Sequence, residues 1–284
     1  MVCPCCFTIP SVIIKLLATA VSLSYGQRFL TKNSNKWIQR ISFGITLATS
    51  ILLTGIGILL LVLANNDDLR NRGFANFCSM QNLKDGGPMD EVRCSILNDA
   101  NISGRVIEFG PGPGTNFKCL VNSTSIDEYV GVEPNKYFKQ EMLKEKEKRG
   151  LTFPLDFAQL KGEDYVDVES GSFDAVIMTH VLCSVDSVET VLANAERALK
   201  VGGEMIIMEH KSAAEGTKLK LFQDVVGPIF NIIGNGCKVL DMTNIIESYL
   251  GKRFDFQLEE FEAPLPAFPF LIARPHVKGV ATKK

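Results

Sequence analysis

The chain has 284 residues, 46% of them hydrophobic and 22% charged, with a formal net charge of −2. That length allows one large domain or two small ones, with a sizeable core. The near-neutral balance and a pI near 6.0 exclude the basic surface that nucleic-acid binding requires.

The first segment holds three of the eight cysteines, in the run CPCC at 3–6. Cys3 and Cys6 form the chain's one CxxC spacing, with no partner pair or nearby His, so no metal is expected. Beside an apolar segment this tail is either a palmitoylation site or an unmodified reduced end. Residues 11–25, SVIIKLLATAVSLSY, are apolar but carry Lys15, and read as an interfacial helix or a second span. The absence of charge before Lys15 argues against a signal-peptide core.

Residues 41–64, ISFGITLATSILLTGIGILLLVLA, contain no charge. As a helix they would extend about 36 Å, enough to cross a hydrocarbon core of about 30 Å. A core helix of that length would carry a polar stripe, so a transmembrane segment is predicted. Arg28, Lys32, Lys36 and Arg40 precede it with no acid among them, and such basic loops face the cytosol. A single crossing would then put the rest of the chain outside the cytosol. Two crossings, or a monotopic anchor, would keep it cytosolic. The expected organisation is an anchor region at 1–65, a linker with leading helices at 66–103, and a globular domain at 104–284.

From 104 onward strand-like and helix-like segments alternate. Strands are predicted at 105–109, 129–133, 151–157, 172–180 and 204–210. TNFKCL can open a helix after the first strand. Further helices are predicted at 135–150 and at 187–203, the latter ending in glycines. Two alternating segments, 253–263 and 270–281, read as an antiparallel closing pair at one sheet edge. This is an α/β pattern, a doubly wound and mostly parallel sheet. Between the fifth strand and that closing pair, 211–252 is partly helical and sits where insertions cover ligand sites. Phe222, Phe230, Phe268 and Phe270 lie in the regions that would roof a site, although lone aromatics are more often core. The cysteines beyond the tail are spaced as buried or free thiols in a reducing compartment.

The stretch VIEFGPGPGTNF at 106–117 carries three glycines at alternate positions after a strand. Gly110, Gly112 and Gly114 therefore stand at the strand's carboxyl end, where doubly wound folds bind ligands, and would let a ligand lie against backbone N–H groups at a helix N-terminus. Glu133 ends the next strand, 19 residues after Gly114, placed to hold the two hydroxyls of a ribose. Dinucleotide binding uses G-x-G-x-x-G, whereas this loop is E-x-G-x-G-x-G, beginning at Glu108.

That spacing resembles the S-adenosylmethionine site of class I methyltransferases. The resemblance implies that Glu108 supports the loop and the methionine amino group, that Glu133 binds the ribose, and that Thr179 lies beside the cofactor. GEDYVDVESGSFD at 162–174 resembles the adenine-contacting block. Lys161 stands where an acid is common, and Gly162 and Glu163 are carried over from that block. FDAVIMTHVLCSVDSVETVLANAERALKVGG resembles the fourth strand, helix and LxPGG-type turn of small-molecule methyltransferases, with Val201 in place of the proline.

More narrowly, most of 70–281 resembles the membrane-anchored methyltransferase-like thiol S-methyltransferases of animals. The shared stretches are EFGPGPGTNFK, VEPN, GED, VLCSV, MEH at 208–210, NGC at 235–237, APL at 263–265 and RPH followed by Gly279. Prolines 111 and 113 stand where that family usually has Cys and Thr. The anchor also differs in length and pattern. The resemblance implies a hydrophobic N-terminus on endoplasmic reticulum or lipid droplets, and methylation of a small hydrophobic thiol or lipid-like substrate. His180 and His210, at carboxyl ends of strands, are the candidate catalytic residues, and His276 is more readily structural. Cys183 and Cys237 read as packing. Transfer to oxygen or nitrogen of a lipid or quinone, and an inactive membrane scaffold, stay open at this point. A cytosolic catalytic domain is expected because the cofactor is made in the cytosol, and glycosylation at the sequons of Asn101 or Asn122 would contradict it.

Overall fold

A computed structural model describes residues 18, 19 and 22, 34–82, 85–100, 102–123, 125–166, 169–266 and 270–284. The tail cysteines, most of 11–25, the sequon residue Asn101, and Phe268 lie outside the described residues. Two compact units are present: the N-terminal region through Arg70 with Pro228–Gly234, and Asn71–Gly227 with Asn235–Lys284.

In the first unit, α1 (Lys36–Asn65) is long and apolar enough to cross a membrane. Its side chains are bare all round: Trp37 is 72% exposed and Ile51 64%. Among the described residues it packs toward its end, with Leu60 against Ile232 and Leu63, Ala64 and Ile229 around them. Thr46 and Thr49 donate their hydroxyls to the carbonyls of Ser42 and Ile45, both at 2.9 Å, so these two hydroxyls are satisfied within the helix. Asn66 breaks the helix and caps α2 (Asp67–Asn82), its Oδ1 accepting from the Leu69 N–H at 2.9 Å.

The second unit is built on a seven-stranded sheet in the order β3-β2-β1-β4-β5-β7-β6. The strands are β1 (Gly104–Phe109), β2 (Ile126–Val132), β3 (Leu155–Ala158), β4 (Phe173–Thr179), β5 (Leu199–His210), β6 (Phe254–Glu262) and β7 (Pro275–Lys283). Strands β1 to β5 pair in parallel, and β7 inserts antiparallel between β5 and β6. This is the expected doubly wound sheet with its antiparallel closing pair. Val106, Ile107 and Phe109 of β1, Ala175 to Met178 of β4 and Met205 to Met208 of β5 are fully buried, which explains their unbroken apolar runs. The helices are α3 (Asp90–Asp99), α4 (Phe138–Lys148), α5 (Val188–Ala198), α6 (Lys218–Ile233) and α7 (Met242–Leu250). The strand order reverses between β1 and β4, so the crevice falls at their carboxyl ends.

Four expectations are corrected. TNFKCL does not open an α-helix; Thr115–Cys119 is a single 3-10 turn. The turn is held to α3 by a Cys94–Cys119 disulfide and by Lys118 on Asp90 at 3.1 Å. That disulfide also removes two of the thiols read as free. The helix expected to run to the glycines ends at Ala198, because Leu199 turns extended and pairs with Phe173. Gly203 then passes so close to β4 that a Cβ there would lie 2.8 Å from the Asp174 carbonyl. The last strand begins at Pro275, after a 3-10 turn at Leu271–Ala273, rather than at 270. A proline without an N–H suits the first position of a strand and not its middle.

Candidate active site

The glycine loop leaves β1 with Gly110, Gly112 and Gly114 all at positive φ, 68°, 53° and 81°. A Cβ on Gly110 would come 2.6 Å from Val181, and one on Gly114 2.8 Å from Phe117, so both are close backbone approaches. At Gly112 the nearest atom to such a Cβ, on Phe138, is 3.9 Å away, so the loop is open there. Pro111 packs over Gly131 of β2, where an added Cβ would meet its ring at 3.0 Å.

The expected row of N–H groups pointing at a ligand is not what the loop presents. Gly110 donates its N–H to Val132 O at 2.9 Å, and Gly114 donates to Pro111 O at 3.0 Å. Gly112 donates to Glu133 Oε2 at 3.2 Å, and Pro111 and Pro113 have no N–H to offer. The N–H groups of all three glycines are thereby committed to protein acceptors.

Glu133, just past β2, is 7% exposed. Its Oε1 accepts from the Asn135 N–H at 2.9 Å, which leaves each oxygen of the carboxylate with acceptor capacity to spare. Burial pushes its carboxyl up to about 7, against the pull of the Asn135 and Gly112 N–H groups.

Glu108, in β1, is 1% exposed and fully engaged. Its Oε1 accepts from Asn116 Nδ2 at 2.5 Å, and its Oε2 accepts from the Tyr129 hydroxyl. Burial raises it to about 7, while Tyr129, Arg93 and Asn116 pull the other way. Asn116 also donates to Thr179 Oγ1 at 3.0 Å. Arg93 of α3 donates through Nη1 to Asn116 Oδ1 at 2.7 Å and to Thr179 Oγ1 at 3.0 Å. The orientation of the Asn116 amide is thereby forced, since Arg93 can only donate and Glu108 when ionised can only accept.

Beyond Thr179 the same network reaches the histidines. His180 sits at φ 57°, and its Nδ1 lies 3.2 Å from Arg93 Nη2. An arginine donates, so His180 Nδ1 accepts and its proton is on Nε2. That proton points at His276 Nε2, 3.0 Å away, and His276 in turn donates from Nδ1 to Arg274 O at 3.0 Å. Burial holds His180 well below the ordinary histidine value, with the Arg93 charge adding to it. Burial likewise brings His276 to about 4. His210 ends β5 opposite His276 and places Nε2 2.7 Å from Cys237 Sγ, which is 3.0 Å from Cys183 Sγ. Glu209 Oε1 accepts from the Val181 and Leu182 N–H groups, both at 2.7 Å, and so holds the loop that carries His180.

The structure brings Glu108, the three glycines, Glu133, Thr179, His180 and His210 to the carboxyl ends of β1, β2, β4 and β5. Gly162 is a close contact, where a Cβ would lie 3.1 Å from Val191, and its carbonyl accepts from Asn194 at 2.8 Å. Glu163 spends its Oε1 on the Asp186 and Ser187 N–H groups, at 2.6 and 3.2 Å, at the start of α5. Phe222 is exposed, Phe230 belongs to the first unit, and Phe270 is half-buried. Sequence reasoning missed Arg93, Asn116 and Glu209. Nothing around Arg93 marks it, because α3 is a mixed polar segment. Asn116, two residues after the last glycine, and Glu209, inside MEH, stood in motifs whose other members were chosen.

Comparison with known proteins gives the arrangement its chemistry. The family described as Methyltransferase domain matches residues 107–207. The thiol S-methyltransferase TMT1B of Rattus norvegicus is 33% identical over 180 residues, covering 63% of this chain and 70% of the relative. TMT1A of Homo sapiens is 32% identical over 200 residues, covering 68% and 77%. Among solved structures, a Haemonchus contortus phosphoethanolamine N-methyltransferase 2 in complex with S-adenosyl-L-methionine superposes with a TM-score of 0.54. It is 15% identical over 68% of this chain and 52% of its own. The YcgJ protein of Bacillus subtilis superposes at 0.53, at 12% identity, over 68% of this chain and 98% of its own. The two share the fold. The site fits the cofactor: the buried Glu133 carboxylate keeps acceptor capacity for a diol, and the glycine N–H groups are turned to protein acceptors rather than to a phosphate. The chain belongs to the TMT1 family of thiol S-methyltransferases, and it is a class I, S-adenosylmethionine-dependent methyltransferase.

Proposed function

We propose that this enzyme methylates the sulfur of a small hydrophobic thiol delivered from a membrane. When bound, S-adenosylmethionine would supply an electrophilic methyl carbon on a cationic sulfur: the acceptor's lone pair would bond to that carbon in line as its bond to the sulfonium breaks, and neutral S-adenosylhomocysteine would leave. Glu133 receives the ribose hydroxyls and is steadied for that by Gly112 and Asn135. Glu108 acts on the donor through Asn116, to which its Oε1 is committed, and Thr179 shares that amide. The loop at 162–163 borders the adenine through its backbone, since the Glu163 carboxylate is turned to α5. The chain's task is positioning and the exclusion of water.

The observation that carries the thiol reading is the state of the histidines at the strand ends. Both ring nitrogens of His180 and of His276 are committed to a chain that starts at Arg93 and ends at the Arg274 carbonyl. An alcohol would need a strong base in that place. A thiol, with a pKa near ~8.5, supplies enough thiolate with modest help. Helix α1 anchors the enzyme to endoplasmic reticulum or lipid droplets, and an apolar acceptor partitions to the same surface.

The test uses the full chain in lipid nanodiscs, with S-adenosylmethionine carrying a deuterated methyl group. Alkyl thiols, matched alcohols, amines and a quinol are offered separately. The expected product is the deuterated thioether alone. Comparable O- or N-methylation, or no binding of the cofactor at all, would overturn the reading.

A further inference from the structure

Cys183, His210 and Cys237 lie together at the carboxyl ends of β4 and β5, and packing alone does not account for them. Cys183 follows β4, His210 closes β5, and Cys237 sits in the loop after α6. The sulfurs are 3.0 Å apart, and His210 Nε2 is 2.7 Å from Cys237 Sγ. Their ligand atoms all lie within 4.8 Å of one another, and all three residues are buried. Three elements distant in sequence thus turn their softest donor atoms to one point.

The two other histidines nearby sharpen the donor set. His180 and His276 also lie within metal-binding reach of His210. Their nitrogens, however, are spent: His180 on Arg93 and His276, and His276 on His180 and the Arg274 carbonyl. The other group of ligand atoms within reach of one point is one imidazole nitrogen and two thiols. Cys2His is a zinc-type set, with soft sulfur and borderline nitrogen donors, and three protein ligands leave one tetrahedral position open.

We infer that Cys183, His210 and Cys237 form a zinc site whose fourth position takes the sulfur of the acceptor thiol. The fourth-ligand part rests on the thiol reading above; the metal site rests on the geometry. Zinc with Zn–S of about 2.3 Å and Zn–N of about 2.0 Å would hold its ligand atoms roughly 3.5–3.8 Å apart. The three side chains therefore open by less than about 1 Å to admit it. Two thiolates cancel the charge of the ion, so the metal-loaded site is neutral before an acceptor binds and tolerates burial. On loading, the two cysteine thiols lose their protons to solvent. An acceptor thiol that binds does the same and stays on the metal as a thiolate, with no change of oxidation state. The sulfur is thereby held as a nucleophile at neutral pH without any histidine base, in keeping with the committed state of His180.

The test is metal analysis of the full chain, purified in detergent without chelators or metal-affinity steps. About one zinc per chain is expected. Cys183→Ser and Cys237→Ser should each lower zinc occupancy at least tenfold at fixed free zinc. Cys78→Ser, which alters a free thiol outside the cluster, should leave it unchanged. Cobalt substitution of the wild type gives a readout that depends on no variant: an intense thiolate-to-cobalt charge-transfer absorption, shifted when an alkanethiol is added. A wild-type chain that takes up neither zinc nor cobalt, or whose mass shows Cys183 joined to Cys237 as a disulfide, overturns the site. Metal bound with no spectral response to thiol overturns the fourth-position assignment. Thioether formation, assayed on the same preparation, separates these failures from failure of the thiol reading, because methylation without metal leaves that reading standing.

Discussion

Arg93 is a buried cation, 6% exposed, that no motif announces and on which four functional side chains depend. It holds Asn116 and Thr179 directly, fixes the tautomer of His180, and balances the Glu108 carboxylate through space. Replacing it with Leu leaves a buried carboxylate uncompensated, a change that costs about 3–5 kcal/mol in comparable sites. Arg93→Leu should therefore melt well below the wild type by differential scanning fluorimetry, and Glu108→Gln in the same chain should recover part of the loss. Glu133 gives a second test, in pH. Its carboxyl lies near 7 in the folded chain against an ordinary value of 4.5, so between those values only the folded chain holds the proton. Stability of the cofactor-free protein from this group then falls as pH rises through that window and is lowest above about 7. If Glu133 receives ribose hydroxyls as proposed, they donate to its ionised form, so cofactor binding runs the other way. Affinity measured by calorimetry should rise by up to about tenfold per pH unit below 7 and level off above it. Glu133→Gln should bind weakly with a flat profile; an unchanged slope in that variant would remove Glu133 from the site. Gly110→Ala tests the loop itself. A Cβ 2.6 Å from Val181 at φ 68° has no room, and loss of cofactor binding is expected.

At the scale of elements, the disulfide between α3 and the 3-10 turn secures the helix that delivers Arg93. It closes a loop with a sequence separation of 25, which by chain entropy is worth about 3 kcal/mol. Reducing agent should lower the melting temperature of the wild type and leave Cys94→Ser, already lower, where it is. The α1 helix is tested apart from this. Its apolar side chains are exposed, with Leu52 63% and Ile51 64% accessible, which is costly in water and suited to lipid. An arginine at Leu52 would lie mid-helix, at a cost of about 2.5–3.5 kcal/mol for insertion. Leu52→Arg should shift the protein from the carbonate-resistant membrane fraction toward the soluble or aggregated fraction.

Over the whole molecule, what the sequence by itself determined is what depends on neighbours in the chain. Apolar runs that alternate with amphipathic ones yield the order of strands and helices, because burial of a strand on both faces needs an unbroken run. The placement of Glu108, the three glycines and Glu133 at strand ends was legible because a strand, its turn and the next strand's end are close in sequence. The long uncharged helix was legible for the same local reason. Tertiary structure alone decided the rest. The loop's N–H groups are consumed by Val132, Glu133 and Pro111, partners that only parallel pairing and turn closure bring near. Glu163 faces α5 because Ser187 opens a helix beside it. Arg93 enters the site from a helix outside the strand–helix alternation. Cys94 meets Cys119, and Cys183, His210 and Cys237 converge, because strand order, not chain order, sets which ends are adjacent. Hydrogen-bond satisfaction and metal-type geometry are properties of positions in space, and one chain read in line carries no record of them.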